Sequence, residues 1–245
     1  NLMHHLLIGG NSFIARHIRY ALEKDHSVTT IDNFSSSRPS QDRINYSGDI
    51  IKISSLFTFS NFDYIWILAA KVGVLNVIKN YYKVLSEDVS IVIKSLEIAK
   101  QNNSTVIFFS SSEVYNNCLV SIEDQLFTIP EVSFFPRSSY LLSKLYCEQL
   151  IKTSGLNYII LRPFNVCGMF QRHEFGMVFP SFIVSAIKDG FIPLFTRDES
   201  RNFLYIQDFV EIMMYLISLG NQCLNKTINI ASPFRIKISE LAENI

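Results

Sequence analysis

The sequence has few cysteines, no excess of either charge and no long hydrophobic run. Its four cysteines are scattered without a C-x-x-C pair, so we predict no metal site, no disulfide framework and a reducing, cytoplasmic location. Lysine plus arginine and aspartate plus glutamate both total 22, so the net charge gives no support for binding nucleic acid or an acidic membrane. No apolar run reaches the roughly 18 to 20 residues of a membrane span, and the first residues lack signal-peptide features. A small molecule is therefore the expected partner.

The chain does contain enough apolar sequence for a large core. Hydrophobic residues make up 48% of its 245 residues, and the mean hydropathy is +0.20. There is no internal repeat, low-complexity tract or linker. We therefore expect a well-buried protein whose parts pack as one unit.

Short apolar runs alternate with longer amphipathic stretches, as in a parallel sheet with crossover helices. The predicted strands are residues 6–8, 28–31, 64–68, 106–109 and 158–161, and the predicted helices are 13–22, 84–100 and 140–153. Later residues follow a looser pattern, with helices near 179–188 and 208–219 and short apolar runs at 192–195, 203–206 and 227–230. The sequence predicts an α/β fold with a doubly wound parallel sheet in residues 1–162. Residues 163–245 are predicted to form a smaller mixed cap that binds the substrate. We also expect that the chain lacks a C-terminal piece.

A turn between the first strand and the first helix carries Gly9, Ser12 and Ala15 where a G-x-x-G-x-x-G pattern has three glycines. Backbone N–H groups of such a turn and of the helix start can bind a pyrophosphate. Asp32 ends the second strand about 20 residues later, where a carboxylate accepts both ribose hydroxyls of NAD and repels a 2′-phosphate. The pattern predicts a Rossmann-like site for NAD. Arg38 is the observation that favours NADP instead.

Two further segments belong to the predicted cofactor site. Asp49 lies in a Gly-Asp turn and can direct its carboxylate to the adenine amino group, although such turns also occur without a ligand. Small side chains at Ala69 and Ala70 let a flat cofactor approach the backbone, although close packing alone explains them as well. The predicted cofactor contacts are Gly9, Ser12, Phe13, Ile14, Asp32, Asn33, Asp49, Ile50, Leu68, Ala69, Ala70, Tyr140, Lys144 and Pro163.

A tyrosine, a lysine and a serine form the predicted catalytic set. Tyr140 and Lys144 lie one helical turn apart, so both side chains point to the same side of the helix. A nearby ammonium and an oxidised nicotinamide lower the pKa of a phenol, so Tyr140 is the expected proton acceptor, and Lys144 also binds the nicotinamide ribose. Ser111 follows a predicted strand at the carboxyl edge of the sheet, where its hydroxyl can bridge the substrate oxygen and the phenol.

These motifs resemble those of the extended short-chain dehydrogenase/reductases of the NAD-dependent epimerase/dehydratase family, enzymes that modify nucleotide-diphosphate sugars. Further similar segments are residues 69–74, 161–168, 176–180 and 200–206, so nearly the whole chain takes part. The resemblance implies that Ser111, Tyr140 and Lys144 are the hydride-transfer triad. It also implies a homodimer that pairs through the helices predicted at 84–100 and 140–153, with ordinary sheet-covering helices as the alternative interpretation of both.

The resemblance extends to the substrate. It implies that Ser112, Asn165 and Arg201 bind it, the last two at the nucleotide diphosphate, because an amide can donate to a phosphate and the planar fork of arginine can clasp one. The chain departs from the family pattern at Ser12, Ala15, Asn116, Cys167 and Gln207. Because of these departures, two alternatives to a typical family member stay open. The enzyme acts on a divergent substrate, or the protein binds NAD without catalysis and has a regulatory function.

Oxidation at C4 of the sugar leaves a 4-keto sugar, and the next step decides the enzyme. We favour a 4-epimerase, which returns the hydride after the ring turns over. The alternatives are a decarboxylase of UDP-glucuronate type, a 4,6-dehydratase and a one-way 4-keto reductase using NADPH. Glu113 follows Ser112 where decarboxylases, some epimerases and some dehydratases have the same Ser-Glu pair, so Glu113 is a candidate acid/base.

Overall fold

The computed structural model describes residues 2–35, 37, 44–57, 60–70, 74–115, 121–123, 138–195 and 199–245. Two residues discussed above, Arg38 and Asn116, lie outside the described residues, as do residues 71–73.

A parallel sheet of seven strands forms the centre of the protein. The strands are β1 His4–Ile8, β2 Ser27–Asp32, β3 Tyr46–Ser47, β4 Tyr64–Ile67, β5 Thr105–Phe109, β6 Tyr158–Pro163 and β10 Lys226–Ile230, in the order β10-β6-β5-β4-β1-β2-β3. Every pairing between neighbours is parallel. The order reverses between β1 and β4, which is the point where doubly wound sheets bind ligands. The predicted fold class is confirmed.

Helices cover both faces of this sheet. The helices of the described residues are α1 Phe13–Leu22, α2 Ile50–Ile53, α3 Val74–Asn102, α4 Ser138–Lys152, α5 Val178–Asp189, α6 Ile206–Ser218 and α7 Ile238–Glu243. Helices α1 and α6 cover one face, α2, α3 and α4 the other, and α5 and α7 pack in a separate cluster. Successive side chains of a strand point to opposite faces. Leu6 and Ile8 of β1 accordingly pack in the core under α3 and α4, whereas Leu7 packs in the core under α1 and α6.

The residues after β6 contribute to two regions. Strand β10 pairs with β6 and α6 covers the sheet, so both extend the layers that residues 1–162 begin. The rest forms two small sheets, in which β7 Val166–Cys167 pairs with β9 Leu204–Tyr205 and β8 Ser200–Arg201 pairs with β11 Ile236–Lys237. Helices α5 and α7 enclose a separate cluster around Phe182, Ile238 and Leu241. The division at 162/163 stays a prediction.

Secondary structure agrees with the sequence prediction for the long segments and differs for the short ones. Helix α1 has the predicted bounds, and α3 begins ten residues earlier than predicted, at residue 74. The apolar run at 192–195 is not a strand, and β3 and α2 were not predicted. Within the described ranges, no helix combines the length and hydrophobicity needed to cross a bilayer.

Candidate functional site

A cleft of about 940 Å³ lies at the carboxyl edge of the parallel sheet. The ends of β1, β2, β4, β5 and β6 all open into it, which is where ligands of doubly wound folds bind. All of the predicted site residues line this one cleft: Gly9, Ser12, Phe13, Ile14, Asp32, Asn33, Asp49, Ile50, Leu68, Ala69, Ala70, Ser111, Ser112, Glu113, Tyr140, Lys144, Pro163, Asn165 and Arg201. Their individual roles stay predictions.

The turn between β1 and α1 depends on two glycines. Gly9 has φ +85°, and a Cβ there would lie 2.7 Å from the backbone nitrogen of Ala69. A Cβ on Gly10 would lie 2.7 Å from the Cβ of Thr30. The N–H groups of both glycines donate to the carbonyl oxygen of Ile31, at 2.9 and 3.0 Å. The glycines therefore bring the turn close to β2 and β4, and their N–H groups are already used there.

The start of α1 supplies the donors that a pyrophosphate needs. Helix α1 begins at Phe13, and the side chain of Ser12 makes no capping hydrogen bond. The first N–H groups of a helix have no acceptor within the helix, so those of Phe13 and Ile14 can bind an anion at the positive end of the helix dipole. Arg16 lies one turn further along α1 and also lines the cleft. Its guanidinium carbon Cζ lies 3.6 Å from the ring centre of Phe170. Arg16 is not among the residues predicted from the sequence.

Asp32 is buried at the end of β2 and is held by backbone groups. Its Oδ2 accepts a hydrogen bond from the N–H of Asn11 at 2.9 Å, and its Oδ1 accepts from the N–H of Phe34 at 2.7 Å and from Ser37 Oγ at 3.2 Å. A carboxylate offers about four lone-pair positions, so it can still accept from a ribose hydroxyl. The close glycine turn, the helix start and this fixed acceptor together fit a dinucleotide.

Asp49 has a structural function as well as a place in the cleft. Its Oδ1 accepts a hydrogen bond from the N–H of Ile51 at 3.0 Å and so caps the N-terminus of α2. This capping bond explains the Gly-Asp turn without a ligand. The predicted contact of Asp49 with adenine therefore depends on the second oxygen of the Asp49 carboxylate.

Tyr140, Lys144 and Ser111 come together beside the end of β5 and the start of α4. The ammonium of Lys144 lies 5.5 Å from the ring centre of Tyr140 and donates to the carbonyl oxygen of Phe109 at 3.0 Å. Burial raises the pKa of Tyr140, while Lys144 and a hydrogen bond with Ser111 act in the opposite direction. Among the protein groups, desolvation of the phenolate outweighs the ammonium and the pKa is raised, whereas the predicted lowering also rests on an oxidised nicotinamide and stays a prediction.

A buried ion pair one turn beyond Lys144 was not found from the sequence. Arg162 donates to both carboxylate oxygens of Glu148, at 2.9 and 2.7 Å, and Ser110 Oγ donates to the same carboxylate at 2.5 Å. These bonds connect α4 to β6 and to the residue before Ser111. The signal was present, since Glu148 continues the four-residue spacing of Tyr140 and Lys144, and a cation inside an apolar strand needs a buried partner.

Residues predicted to bind substrate line the more exposed side of the cleft. Asn165 has φ +32°, and its Nδ2 donates to the carbonyl oxygen of Asn202 at 2.9 Å. Arg201 Nη2 donates to Glu199 Oε2 at 2.5 Å, and because a guanidinium has five N–H donors, Arg201 can bind a diphosphate while it keeps that partner. The N–H of Glu113 donates to Ser111 Oγ at 3.2 Å, which ties the candidate acid/base to the triad serine. Among the described residues, no group of three or more His, Cys, Asp or Glu side chains is placed to hold a metal ion.

The fold and the cleft define a dinucleotide-binding α/β protein of the doubly wound type. Residues 5–231 match the model of the NAD dependent epimerase/dehydratase family, and the chain belongs to this family. The resemblance stated from the sequence is confirmed, and the family supports NAD as the cofactor.

Three relatives illustrate the range of related activities. UDP-glucuronic acid decarboxylase 1 of Danio rerio is 25% identical over 98% of this chain, which spans 59% of that relative's length. UDP-N-acetyl-alpha-D-glucosaminuronate decarboxylase of Bacillus cytotoxicus is 27% identical over 98% of this chain and 78% of its own. The structure of UDP-N-acetylglucosamine 4-epimerase from Methanobrevibacter ruminantium has a TM-score of 0.80 and 28% identity, covering 99% of this chain and 81% of its own.

Proposed function

We propose that this protein is an NAD-dependent enzyme that oxidises the C4 hydroxyl of a nucleotide-diphosphate sugar. The observation that carries the proposal is that Ser111, Tyr140 and Lys144 share one cleft with the glycine turn and Asp32. A proton acceptor and a dinucleotide site in one cleft are what hydride transfer from an alcohol requires. Membership of the family supports the same conclusion.

The side chains divide the work as follows. Tyr140 accepts the proton of the sugar hydroxyl, Ser111 orients that hydroxyl, and Lys144 stabilises the phenolate by its charge. The start of α1 and Asp32 hold the pyrophosphate and the ribose. NAD, when bound, would accept the hydride from C4 of the sugar. The resulting 4-keto sugar is common to all the outcomes considered above.

A 4-epimerase is the outcome we propose. Returning the hydride to the 4-keto carbon uses the groups that oxidised it, Ser111, Tyr140 and Lys144, whereas a dehydratase needs a further acid and base. The similarity to a 4-epimerase structure at 28% identity also supports this outcome.

Decarboxylation of a nucleotide-linked uronate is the second candidate. Two observations favour it, namely the Ser112-Glu113 pair beside the triad and the similarity of 98% of the chain to proteins named as uronate decarboxylases. Loss of carbon dioxide from the 4-keto sugar needs the same Tyr140 and Lys144. The two candidates therefore differ in substrate and product and not in the oxidising step.

The test is to incubate the purified protein and NAD with UDP-glucose, UDP-N-acetylglucosamine and UDP-glucuronate and to identify the products by mass and NMR. We expect a 4-epimer from a neutral sugar, whereas a pentose product from UDP-glucuronate would establish decarboxylation. Tyr140→Phe should lower turnover by about 10²- to 10⁴-fold, the range for loss of a general base, with NAD affinity nearly unchanged.

Tyr215→Phe is the matched control, because Tyr215 is exposed on α6 outside the cleft and should tolerate loss of its hydroxyl. Turnover that survives in Tyr140→Phe would remove Tyr140 from the mechanism. NAD binding without conversion of any of the three sugars would favour the regulatory alternative.

We also propose a homodimer that pairs through α3 and α4. Ile78, Tyr82 and Leu85 follow each other at four- and three-residue spacing on α3 and are exposed, and Tyr146 is exposed on the adjacent α4. Helices α3 and α4 pack closely against each other in one protomer. A second copy of the same pair would cover this apolar stripe.

A further inference from the structure

Asp88 is a buried carboxylate beside the catalytic pair that no sequence motif predicted. It lies on α3, which packs against α4, and only 3% of its surface is exposed. It also lines the cleft. A carboxylate buried to this extent is costly unless it is hydrogen-bonded and faces a positive charge.

One hydroxyl group connects Asp88 to the backbone of the catalytic helix. Ser143 Oγ lies 3.0 Å from Asp88 Oδ2 and 2.9 Å from the carbonyl oxygen of Tyr140. Ser143 is fully buried and immediately precedes Lys144. The contact therefore fixes the turn of α4 that carries both Tyr140 and Lys144 against α3.

The charges around Lys144 point to Asp88 as its counter-charge. Burial alone would lower the pKa of Lys144, but nearby acidic groups, led by Tyr140 and Asp88, outweigh it, and the pKa is raised. Glu148 is the other carboxylate among these groups, and it is already neutralised by Arg162, with Lys152 Nζ at 3.6 Å. The ammonium of Lys144 itself donates to a neutral carbonyl, that of Phe109.

We propose that Asp88 is a positioning residue for Tyr140 and Lys144: its carboxylate anchors their turn of α4 through Ser143 and balances the ammonium charge of Lys144. Its relevance to turnover rests on the proposed function, because only there does the pair act as base and charge partner. The titratable groups that act on the pair are Asp88 from α3, Glu113 from the segment after β5, and Cys147 and Glu148 from α4.

The balance of charge has a measurable consequence. Asp88 raises the pKa of Tyr140 because a carboxylate disfavours a second negative charge nearby. Asp88→Asn keeps the shape and an acceptor for Ser143 but removes the charge. The tyrosinate form of Tyr140 should therefore appear at lower pH in this variant.

The experiment is a titration of tyrosinate absorbance at saturating NAD. Wild type and Asp88→Asn are each compared with the same protein carrying Tyr140→Phe, so that the difference isolates Tyr140. We expect the midpoint of Asp88→Asn to lie at lower pH than that of wild type. Ser143→Ala is the control, because it removes the hydroxyl bridge but keeps the charge, so its midpoint should stay at the wild-type value while its melting temperature falls.

Equal midpoints in wild type and Asp88→Asn would overturn the proposal, as would an equal shift in Ser143→Ala. If Asp88→Asn does not fold, Asp88→Ser tests the same loss of charge with a smaller polar side chain. The titration needs no substrate, so a shifted midpoint in a protein that converts no nucleotide sugar would contradict the proposed function and leave the role of Asp88 standing. With an active enzyme, the acid limb of the kcat profile should move in the same direction.

Discussion

His5 is a buried histidine at the opposite end of β1 from the cleft. Its Nδ1 accepts a hydrogen bond from Trp66 Nε1 at 3.0 Å, and its ring stacks on Tyr64 with ring centres 5.2 Å apart. Burial, together with the neighbouring His26 and His4, lowers the pKa of His5 to about 3. The native state therefore holds His5 neutral in solutions where the unfolded chain would protonate it.

This lowered pKa predicts that the protein loses stability in mild acid. A histidine in the unfolded chain has a pKa near 6.5, so the contribution of His5 is fully present above about pH 6.5 and is lost as the pH falls towards 3. We expect the melting temperature of wild type to fall between pH 6.5 and 5, before most carboxylates titrate. In His5→Phe that fall should be smaller, although loss of the acceptor for Trp66 should cost about 1–3 kcal/mol at pH 7.

Melting curves at half-unit pH intervals measure this effect. His5→Gln is the second variant, because an amide keeps an acceptor for Trp66 but cannot be protonated in this interval, so its melting temperature should also fall less than that of wild type. A His5→Phe profile parallel to wild type over this interval would show that another group causes the loss.

Side chains whose function depends on local spacing could be predicted, and those that depend on packing could not. Tyr140 and Lys144 are one turn apart in any helix, so the sequence alone places them side by side. Asp88 and Ser143 meet across 55 positions of the chain, and only the contact of α3 with α4 brings them together. The raised pKa of Tyr140 escaped prediction for the same reason, since burial cannot be read from spacing.

The turn from β1 to α1 offers a test of the cofactor site. Gly9→Ala places a Cβ 2.7 Å from the backbone nitrogen of Ala69, in addition to the strain of an alanine at φ +85°. To relieve the contact, the turn must move relative to β4 and carry the start of α1 with it. We expect NAD affinity, measured by calorimetry, to fall at least about tenfold, which corresponds to about 1.4 kcal/mol.

Gly155→Ala separates the contact from the backbone strain. Gly155 has φ +77°, close to that of Gly9, but a Cβ there would meet nothing within 4 Å. This variant should lose some thermal stability and keep wild-type affinity for NAD. If both variants bind NAD as wild type does, the turn is not part of the cofactor site.

Long buried segments were predictable and short or irregular ones were not. Strands β1, β4, β5 and β6 contain apolar runs that are buried on both faces, which is a strong signal, whereas β2 was predicted from a shorter β-branched run. Strand β3 has two exposed residues, Tyr46 and Ser47, and therefore no hydrophobic pattern. The first turns of α3 were missed because Ile78 and Tyr82 are apolar on the exposed side and obscure the helical period. The run at 192–195 is apolar because Ile192 and Leu194 pack on the α5–α7 cluster without strand pairing.

The assembly of the sheet depends on the most distant part of the chain. Strand β10 pairs with β6 and places Asn229 where its amide accepts a hydrogen bond from the hydroxyl of Tyr115 at 2.7 Å, and Tyr115 in turn accepts from Arg162. The hydrogen bonds of this buried ion pair therefore extend to a strand that follows α5 and α6 in sequence. The segments of the large sheet and those of the small sheets thus alternate along the chain after β6.

The proposed dimer makes the apolar stripe of α3 testable. In a monomer Tyr82 would leave 65% of its surface in water, whereas pairing of α3 with a second copy would bury it. We expect wild type to have the mass of a dimer by size exclusion with light scattering, and Tyr82→Glu to have that of a monomer, because a carboxylate cannot be buried in an apolar seam without a partner. Tyr215→Glu is the matched control, since Tyr215 is 63% exposed on α6 and should not affect the mass. A monomeric wild type, or a dimer that survives Tyr82→Glu, would contradict pairing through α3.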